Sequence, residues 1–441
     1  MKSFRTFDLI TFNLYYFGIS FLWNGLGRFV LQTIVPQPYM GGSDNAEAAF
    51  GVLSFAGLLV ATIVQPVAGA VSDKVSTRWG RRRPFVVGGT LADLIFLAAI
   101  AFAPNFWFLL IAYCLLQFSS NVAHGPYQGL LPDLVPESQY GVASGIKQAV
   151  DTLGLIAIAL ITPIIVSNAS TGLDTNIKTM VMVIAGVLVG TMLINILTVR
   201  EPTLHARANP TRTPFAFNQL LPQAIAFTRA HPDFAWLVAS RLTILGALAI
   251  ISNNAQFYFQ KILVANTGNL DQMIKAAVSL QGELLTTVVL VLIIATLLAG
   301  PLSDRWGRRP VNALGGIIAS CGAVVLLFTR NVPWINLPFQ PIHDLTIAGA
   351  LLGVGMGLFT SANWAWAVEL TPPDQAAHFL GLTNIATAGA TVVTSLLGPA
   401  ISLLNGQSYG SGFTFMFIVS IVGFIIGSAM VLRIRETKKA L

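Results

Sequence analysis

Charge is what this 441-residue chain lacks: Asp, Glu, Lys and Arg make up 10% of it, against about 25% in a soluble globular protein. So few charges cannot clothe a water-facing surface. With 54% hydrophobic residues and a mean hydropathy of +0.72, the chain needs a lipid bilayer as its solvent. Cysteine is almost absent. Cys114 and Cys321 each lie inside an apolar run, which excludes a disulfide framework and reads as two small buried side chains. No metal-ligand spacing, phosphate loop or nucleophile elbow occurs, so neither a metal, a cofactor nor an enzymatic reaction is expected. The formal net charge is +7, but the basic residues sit in short loops between apolar runs and form no patch for nucleic acid. No cleavable leader is expected, because Lys2 and Arg5 precede an apolar stretch too long for one.

What is there is a series of long apolar runs. A membrane-crossing helix needs about 20 mainly apolar residues. Twelve stretches qualify: 8–35, 50–71, 84–103, 107–130, 140–166, 179–199, 236–260, 283–302, 310–329, 346–368, 376–403 and 411–432. The longest polar interval, 200–235, holds Pro202, Pro210, Pro214, Pro222 and Pro232 and reads as a cytoplasmic linker. It divides a first bundle, 1–199, from a second, 236–441. Of the 25 Lys and Arg, eighteen fall on the side that holds both termini and four on the other. By the positive-inside rule both ends are cytoplasmic, which points to an integral protein of the plasma (bacterial inner) membrane.

Two motifs repeat. Arg78-Trp79-Gly80-Arg81-Arg82 recurs as Arg305-Trp306-Gly307-Arg308-Arg309, and Ser72-Asp73 recurs as Ser303-Asp304. The segment from Pro132-Asp133 to Gln139 pairs with Val368-Glu369 to Gln375. The offsets, 231 residues for Asp73–Asp304 and 236 for Asp133–Glu369, nearly agree. A duplicated six-helix unit leaves this trace. Glycines four apart, Gly186/Gly190, Gly349/Gly353/Gly357 and Gly423/Gly427, predict close helix packing.

An acid at the end of a helix followed by Gly-Arg-Arg, after both the second and the eighth helix, resembles the signature loop of the major facilitator superfamily. The extended loop Ser72-Asp73 to Arg81-Arg82-Arg83-Pro84-Phe85, with Gly125-Pro126 and Leu130-Leu131-Pro132-Asp133-Leu134, resembles the branch of plant sucrose transporters and glycoside-pentoside-hexuronide:cation symporters. The resemblance implies an all-α membrane protein with twelve transmembrane helices in two pseudo-symmetric six-helix bundles. It implies a secondary transporter for a small-molecule solute, foremost a sugar or glycoside, working by alternating access with a co-transported cation, proton or sodium. The chain departs from the sucrose-transporter pattern at two places. Gln117 stands where that branch has a helix-four acid, and Gln128 where it has an arginine.

Three groups of residues are expected to carry function. The loop residues Asp73, Arg81, Arg82, Asp133, Asp304, Arg308, Arg309 and Glu369 form a cytoplasmic gate, because an Arg fork grips a carboxylate bidentately in a partly dry interface. Ionisable residues inside spans are costly and mark coupling sites: Asp151, Asp93, Arg28 and Arg241. Lys147, one turn from Asp151, is placed to neutralise it. A solute site is expected from Trp23, Asn24, Gln117, Asn121, Asn253, Asn254, Asn363 and Trp364, since amides serve hydroxyls both ways and rings stack on sugar faces. Hydrogen bonding between helices competes for the same amides. Two rival readings are an exporter of amphiphilic compounds and a transport-dead membrane sensor. Gly154–Pro163 lacks the exporters' Gly-Pro motif, and a sensor is expected to carry a long regulatory tail, whereas Leu441 comes just past the twelfth stretch.

Overall fold

The computed structural model of the chain describes residues 6–75, 77–136, 139–168, 170–199, 231–264, 266–335, 342–370 and 376–435. Among them are twelve long helices. α1 is Thr6–Gly25, continued by a π-helical turn, Leu26–Val30, and an α-helical turn, Leu31–Ile34; α2 is Ala46–Lys74, α3 Arg83–Ala101, α4 Phe106–Leu134, α5 Tyr140–Val166 and α6 Leu173–Thr198. The second series is α7 Pro232–Tyr258, continued by a π turn at Phe259–Leu263, then α8 Leu270–Trp306, α9 Arg308–Phe328, α10 Asp344–Glu369, α11 Ala376–Gln407 and α12 Ser411–Val431. Eleven are long and apolar enough to cross a membrane. α1, the remaining one, carries Asp8, Asn13, Ser20 and Asn24 along its length. Most of the expected linker lies outside the described residues.

The helices extend past the apolar runs where polar residues continue the turn. α8 begins at Leu270, thirteen residues before its run, because Asn269 caps its start, accepting from the Gln272 amide at 3.3 Å. Asn105 caps α4 in the same way, at 3.0 Å from the Phe108 amide. A short antiparallel pair, β1 Pro333–Ile335 with β2 Ile342–His343, joins α9 to α10. Its segments are too brief to show an alternating pattern in the sequence.

By its contacts the chain forms two compact units, Met1–Arg212 with Thr267–Ser279, and Thr213–Asn266 with Leu280–Leu441. The first turns of α8 therefore group with the first unit: Lys275 Nζ donates to the carbonyls of Asn168 and Thr171 at 2.7 and 2.6 Å. In the first unit α1 is the hub. Asn13 Nδ2 donates to the Ala143 carbonyl of α5 at 3.3 Å, Asn195 Nδ2 of α6 donates to the Phe12 carbonyl at 2.8 Å, and the Tyr127 hydroxyl of α4 donates to Phe12 as well. Tyr15 Oη meets Thr90 Oγ1 of α3 at 2.6 Å.

In the second unit the glycine stripe of α10 lets α8 approach. A Cβ on Gly353 would fall 2.6 Å from the Val288 carbonyl, and one on Gly357 2.8 Å from that of Leu292. Gly423 and Gly427 face α7 in the same manner, whereas Gly186 and Gly190 have nothing within 4 Å. The spacing predicts a small-residue face, and only two of the three faces are packed on a neighbour.

The two π turns stand 233 residues apart, between the offsets of the two repeated motifs. Each is centred on a basic residue, Arg28 and Lys261. A π turn frees a main-chain carbonyl, and in both a side chain takes one: Gln32 Nε2 donates to Gly27 O at 3.4 Å, and the Tyr409 hydroxyl donates to Lys261 O. The duplication thus preserves a widened turn that no local sequence signal announces.

Candidate functional site

The acid-and-arginine loops form one cluster in each unit. Gly80 and Gly307 take φ of 102° and 94°, a left-handed turn that favours glycine and turns each loop so that the arginines after it fold back on the helix ends. In the first unit Arg82 is the hub. Its Nη2 lies 3.0 Å from Asp73 Oδ1 at the end of α2, its Nε 2.6 Å from Asp133 Oδ2 at the end of α4, and its Nη1 donates to the Pro126 carbonyl at 3.1 Å. Arg81 Nη2 adds a second grip on Asp133 at 2.6 Å. In the second unit Arg308 Nη2 lies 2.7 Å from Asp304 and 3.0 Å from Glu369.

This changes the pairing of the repeat. The pentapeptide aligns Arg81 with Arg308, but the hubs are Arg82 and Arg308. The next residues agree: Arg83 donates to the Ile196 carbonyl at the end of α6, and Arg309 to the Leu432 carbonyl at the end of α12. The correct register counts back from Pro84 and Pro310, with Arg81 the extra residue. Arg83 was missed as a counterpart of Arg309 because the glycine was used as the anchor. In both units the hub pairs join helix ends of the same unit.

The polar residues divide into two sets. One set is absorbed by the scaffold. Gln117 Nε2 donates to Tyr113 Oη at 2.9 Å, and Asn121 Nδ2 to the Gln117 carbonyl at 2.7 Å, both along α4. Asn254 is buried and donates to the Ile250 carbonyl of its own helix at 2.9 Å. Asp93 is fully buried between α3 and α4, where Ser119 Oγ donates to its Oδ1.

The other set forms a ladder on the first unit. Tyr16, Ser20 and Asn24 are four apart, so they share one face of α1, and Arg28 in the following π turn continues it. Arg28 Nε donates to Asn24 Oδ1 at 3.1 Å, Asn24 Nδ2 to the Ser20 carbonyl at 2.9 Å, and Ser20 Oγ to the Asp151 carbonyl of α5 at 2.7 Å. Lys147 Nζ lies 4.6 Å from the centre of the Tyr16 ring. The expected neutralisation of Asp151 by Lys147 does not occur as a contact. Among the described residues the two form no ion pair at contact distance, since Lys147 lies over the Tyr16 ring, but their charges still act on each other. His124 meets Tyr16 edge-on at 5.9 Å and Gln128 at 3.1 Å. Trp23 stands edge-on to Tyr113 at 6.3 Å. Asn24, Arg28, Lys147 and Asp151 are half-buried, so the ladder keeps donors and acceptors at an accessible surface. Ser20 also belongs to it and was not foreseen from the sequence; the four-residue spacing on α1 was the available signal.

In the second unit Arg241 Nη1 donates to Asn363 Oδ1 at 3.1 Å and its guanidinium stands 6.0 Å from the Trp364 ring centre. Trp364 is 45% exposed and Asn363 buried, with no partner for its Nδ2 among the described residues. Asn253 is half-buried beside the occupied Asn254.

Twelve long helices, two units with repeated loop clusters, and polar faces inside helices otherwise made for lipid define an all-α membrane protein of the major facilitator fold. The solved structures agree at the level of fold. The chain superposes on the D-xylose-proton symporter with a TM-score of 0.67 at 15% identity, covering 98% of each chain. It matches a bacterial homologue of the human lysosomal transporter Spinster at 0.70 and 15%, covering all of both chains. The chain belongs to the MFS/sugar transport protein family, whose model matches residues 45–371. It is 23% identical over 468 residues to the sucrose transport protein SUC4 of Arabidopsis thaliana, covering 96% of this chain and 88% of that one. It is 26% identical to the rice (Oryza sativa subsp. japonica) sucrose transport protein SUT1 over 151 residues, which are 29% of this chain and 27% of the rice protein. It is thus an integral membrane protein of a sugar-transport family.

Proposed function

We propose that the protein carries a sugar or glycoside across the plasma membrane by alternating access, coupled to a cation, with both termini cytoplasmic. The observation that carries this reading is the α1–α5 ladder in a chain of a sugar-transport family. Asn24 and Asp151 offer acceptors, Arg28, Lys147 and the Asn24 amide offer donors, and Trp23 and Tyr16 offer ring faces. A polyhydroxylated solute uses all three kinds. On the second unit Asn253, Trp364 and the Arg241–Asn363 pair are the counterparts. Gln117, Asn121 and Asn254 keep a supporting role, because each is bonded within its own helix and buried, whereas Asn24, also bonded to its own helix, is half-buried.

The loop clusters act as clamps in this reading. Arg82 ties α2, α3 and α4 together, and Arg308 does the same for α8, α9 and α10, so each bundle can move as one body. Asp73, Arg81, Asp133, Asp304, Arg309 and Glu369 complete the clamps. The lysine and arginine bias supports a position on the cytoplasmic side.

The test is a thermal-shift screen of mono- and disaccharides and glycosides on purified protein. A sugar that stabilises the parent, and does so less in Asn24→Ala, supports the reading. A screen in which no sugar stabilises the parent removes it.

A further inference from the structure

We propose that Asp93, on the α3–α4 face, is the proton-binding acid of this protein. The proposal rests on the transport reading for its purpose, but the residue's chemistry stands apart from it. Asp93 is fully buried, midway along a membrane-crossing helix. Its Oδ1 accepts from Ser119 Oγ, and among the described residues its Oδ2 has no hydrogen-bond partner. Among the described residues no cation contacts it. From α1 the titratable group facing it is Tyr15, whose hydroxyl is engaged with Thr90, one turn before Asp93. From α4 it is met by Ser119, a hydroxyl without charge. On α6 the charged residues are Asp174 and Lys178, paired with each other in the first turns, at the opposite end of the membrane from the arginine clamp.

An ionised carboxylate in such a place has one hydrogen bond and no counter-charge, and the cost of burying it is several kcal/mol. A neutral carboxylic acid fits the same space, with Oδ1 as the carbonyl that accepts from Ser119 and Oδ2 carrying the proton. Asp151 differs in kind: it shares its face with Lys147, and Ser20 stands beside it. Asp93 also connects with the solute ladder. Thr90 meets Tyr15, Tyr15 packs edge-on to Tyr127 at 4.9 Å, Tyr127 lies 4.7 Å from Tyr16, and Tyr16 carries Lys147. A change in the Asp93–Ser119 bond on losing the proton therefore shifts the helix, α4, that positions Tyr127 and His124 beside the ladder. The branch pattern's helix-four acid is replaced by Gln117, and Ser119 lies two residues further along the same helix.

Infrared difference spectroscopy of the purified protein in lipid tests this without any solute. At neutral pH the parent should show a protonated carboxyl C=O band that disappears at alkaline pH. The band should be absent in Asp93→Asn, retained in Asp151→Asn, and moved to higher frequency in Ser119→Ala. No band at neutral pH, a band that persists in Asp93→Asn, or one that never titrates overturns the proposal. In proteoliposomes with sucrose as probe, Asp93→Asn should keep counterflow but lose accumulation driven by a pH gradient. Accumulation retained at the parent level also overturns it. If the parent carries no sucrose, the transport reading is what suffers, and the infrared titration still decides Asp93.

Discussion

Gly129→Ala probes the arginine clamp most sharply. A Cβ on Gly129 would overlap the Arg82 guanidinium, and the atoms it meets are the far end of a long side chain. Arg82 moves, not the backbone. Moving it gives up the 2.6 Å bond to Asp133, the 3.0 Å bond to Asp73 and the 3.1 Å bond to the Pro126 carbonyl. A hydrogen bond to a charged partner contributes about 1.5–3 kcal/mol net. Asp133 keeps Arg81 at 2.6 Å, and the Asp73 side chain is 31% exposed, so water screens part of the loss. The Arg82 side chain is only 5% exposed, which keeps the loss well above that of a surface pair. The expected destabilisation is about 3 kcal/mol, within the range for breaking a buried pair. Arg82→Ala should cost about the same, because it removes the same bonds. The assay is thermal unfolding of purified parent, both single variants and the double variant. The double variant should unfold where the singles do, since Gly129→Ala acts only through Arg82. Additive shifts, or a Gly129→Ala protein as stable as the parent, refute the clamp.

Four further outcomes follow. Arg83→Ala and Arg309→Ala each remove a donor from the end of the last helix of their unit, and similar losses of about 1–3 kcal/mol should appear in thermal unfolding of the two variants. Asn253→Ala should weaken solute binding with unfolding unchanged, whereas Asn254→Ala should lower the unfolding temperature; binding and melting curves measured together separate them. Tyr409→Phe removes the hydroxyl that takes the freed carbonyl of the second π turn, so amide hydrogen exchange across Phe259–Leu263 should speed up while the rest of α7 is unchanged. Lys147→Ala should lower sugar affinity about tenfold or more, the scale of one hydrogen bond from a charged donor, and Lys147→Arg should not restore it fully, because a planar guanidinium stacks where an ammonium points.

The long apolar runs made twelve helices legible, because a bilayer forbids any other use for them. The repeated loops revealed the two halves for the same reason: Asp73, Asp304 and the arginines stand out against a chain with so little charge. Boundaries were less legible. α8 starts at Leu270, inside a polar stretch, since a helix capped by Asn269 needs no apolar residue to continue. The amides were the harder case. Gln117, Asn121, Asn254 and Asn24 look alike in sequence and all bond within their own helix, yet the first three are buried and Asn24 is half-buried. Whether an amide meets its own helix or a solute depends on the rotamer and on what stands opposite, and neither is written in residue identity. The Asp151–Lys147 spacing of four put the two charges within reach of each other, but not the direct contact: the Tyr16 ring on α1, more than a hundred residues away in the chain, takes the ammonium. The π turns had no signal beyond the offset of 233, which becomes meaningful only once both are seen.

Counterflow in proteoliposomes tests the central claim most directly. Vesicles loaded with the sugar that most stabilises the purified protein are diluted into a trace of the same sugar in radiolabelled form. The account predicts transient accumulation of label in the parent, retained in Asp93→Asn and strongly reduced in Asn24→Ala and Lys147→Ala. Label that never rises above equilibrium in the parent, or that rises equally in all four proteins, contradicts a sugar transporter whose solute site is the α1–α5 ladder.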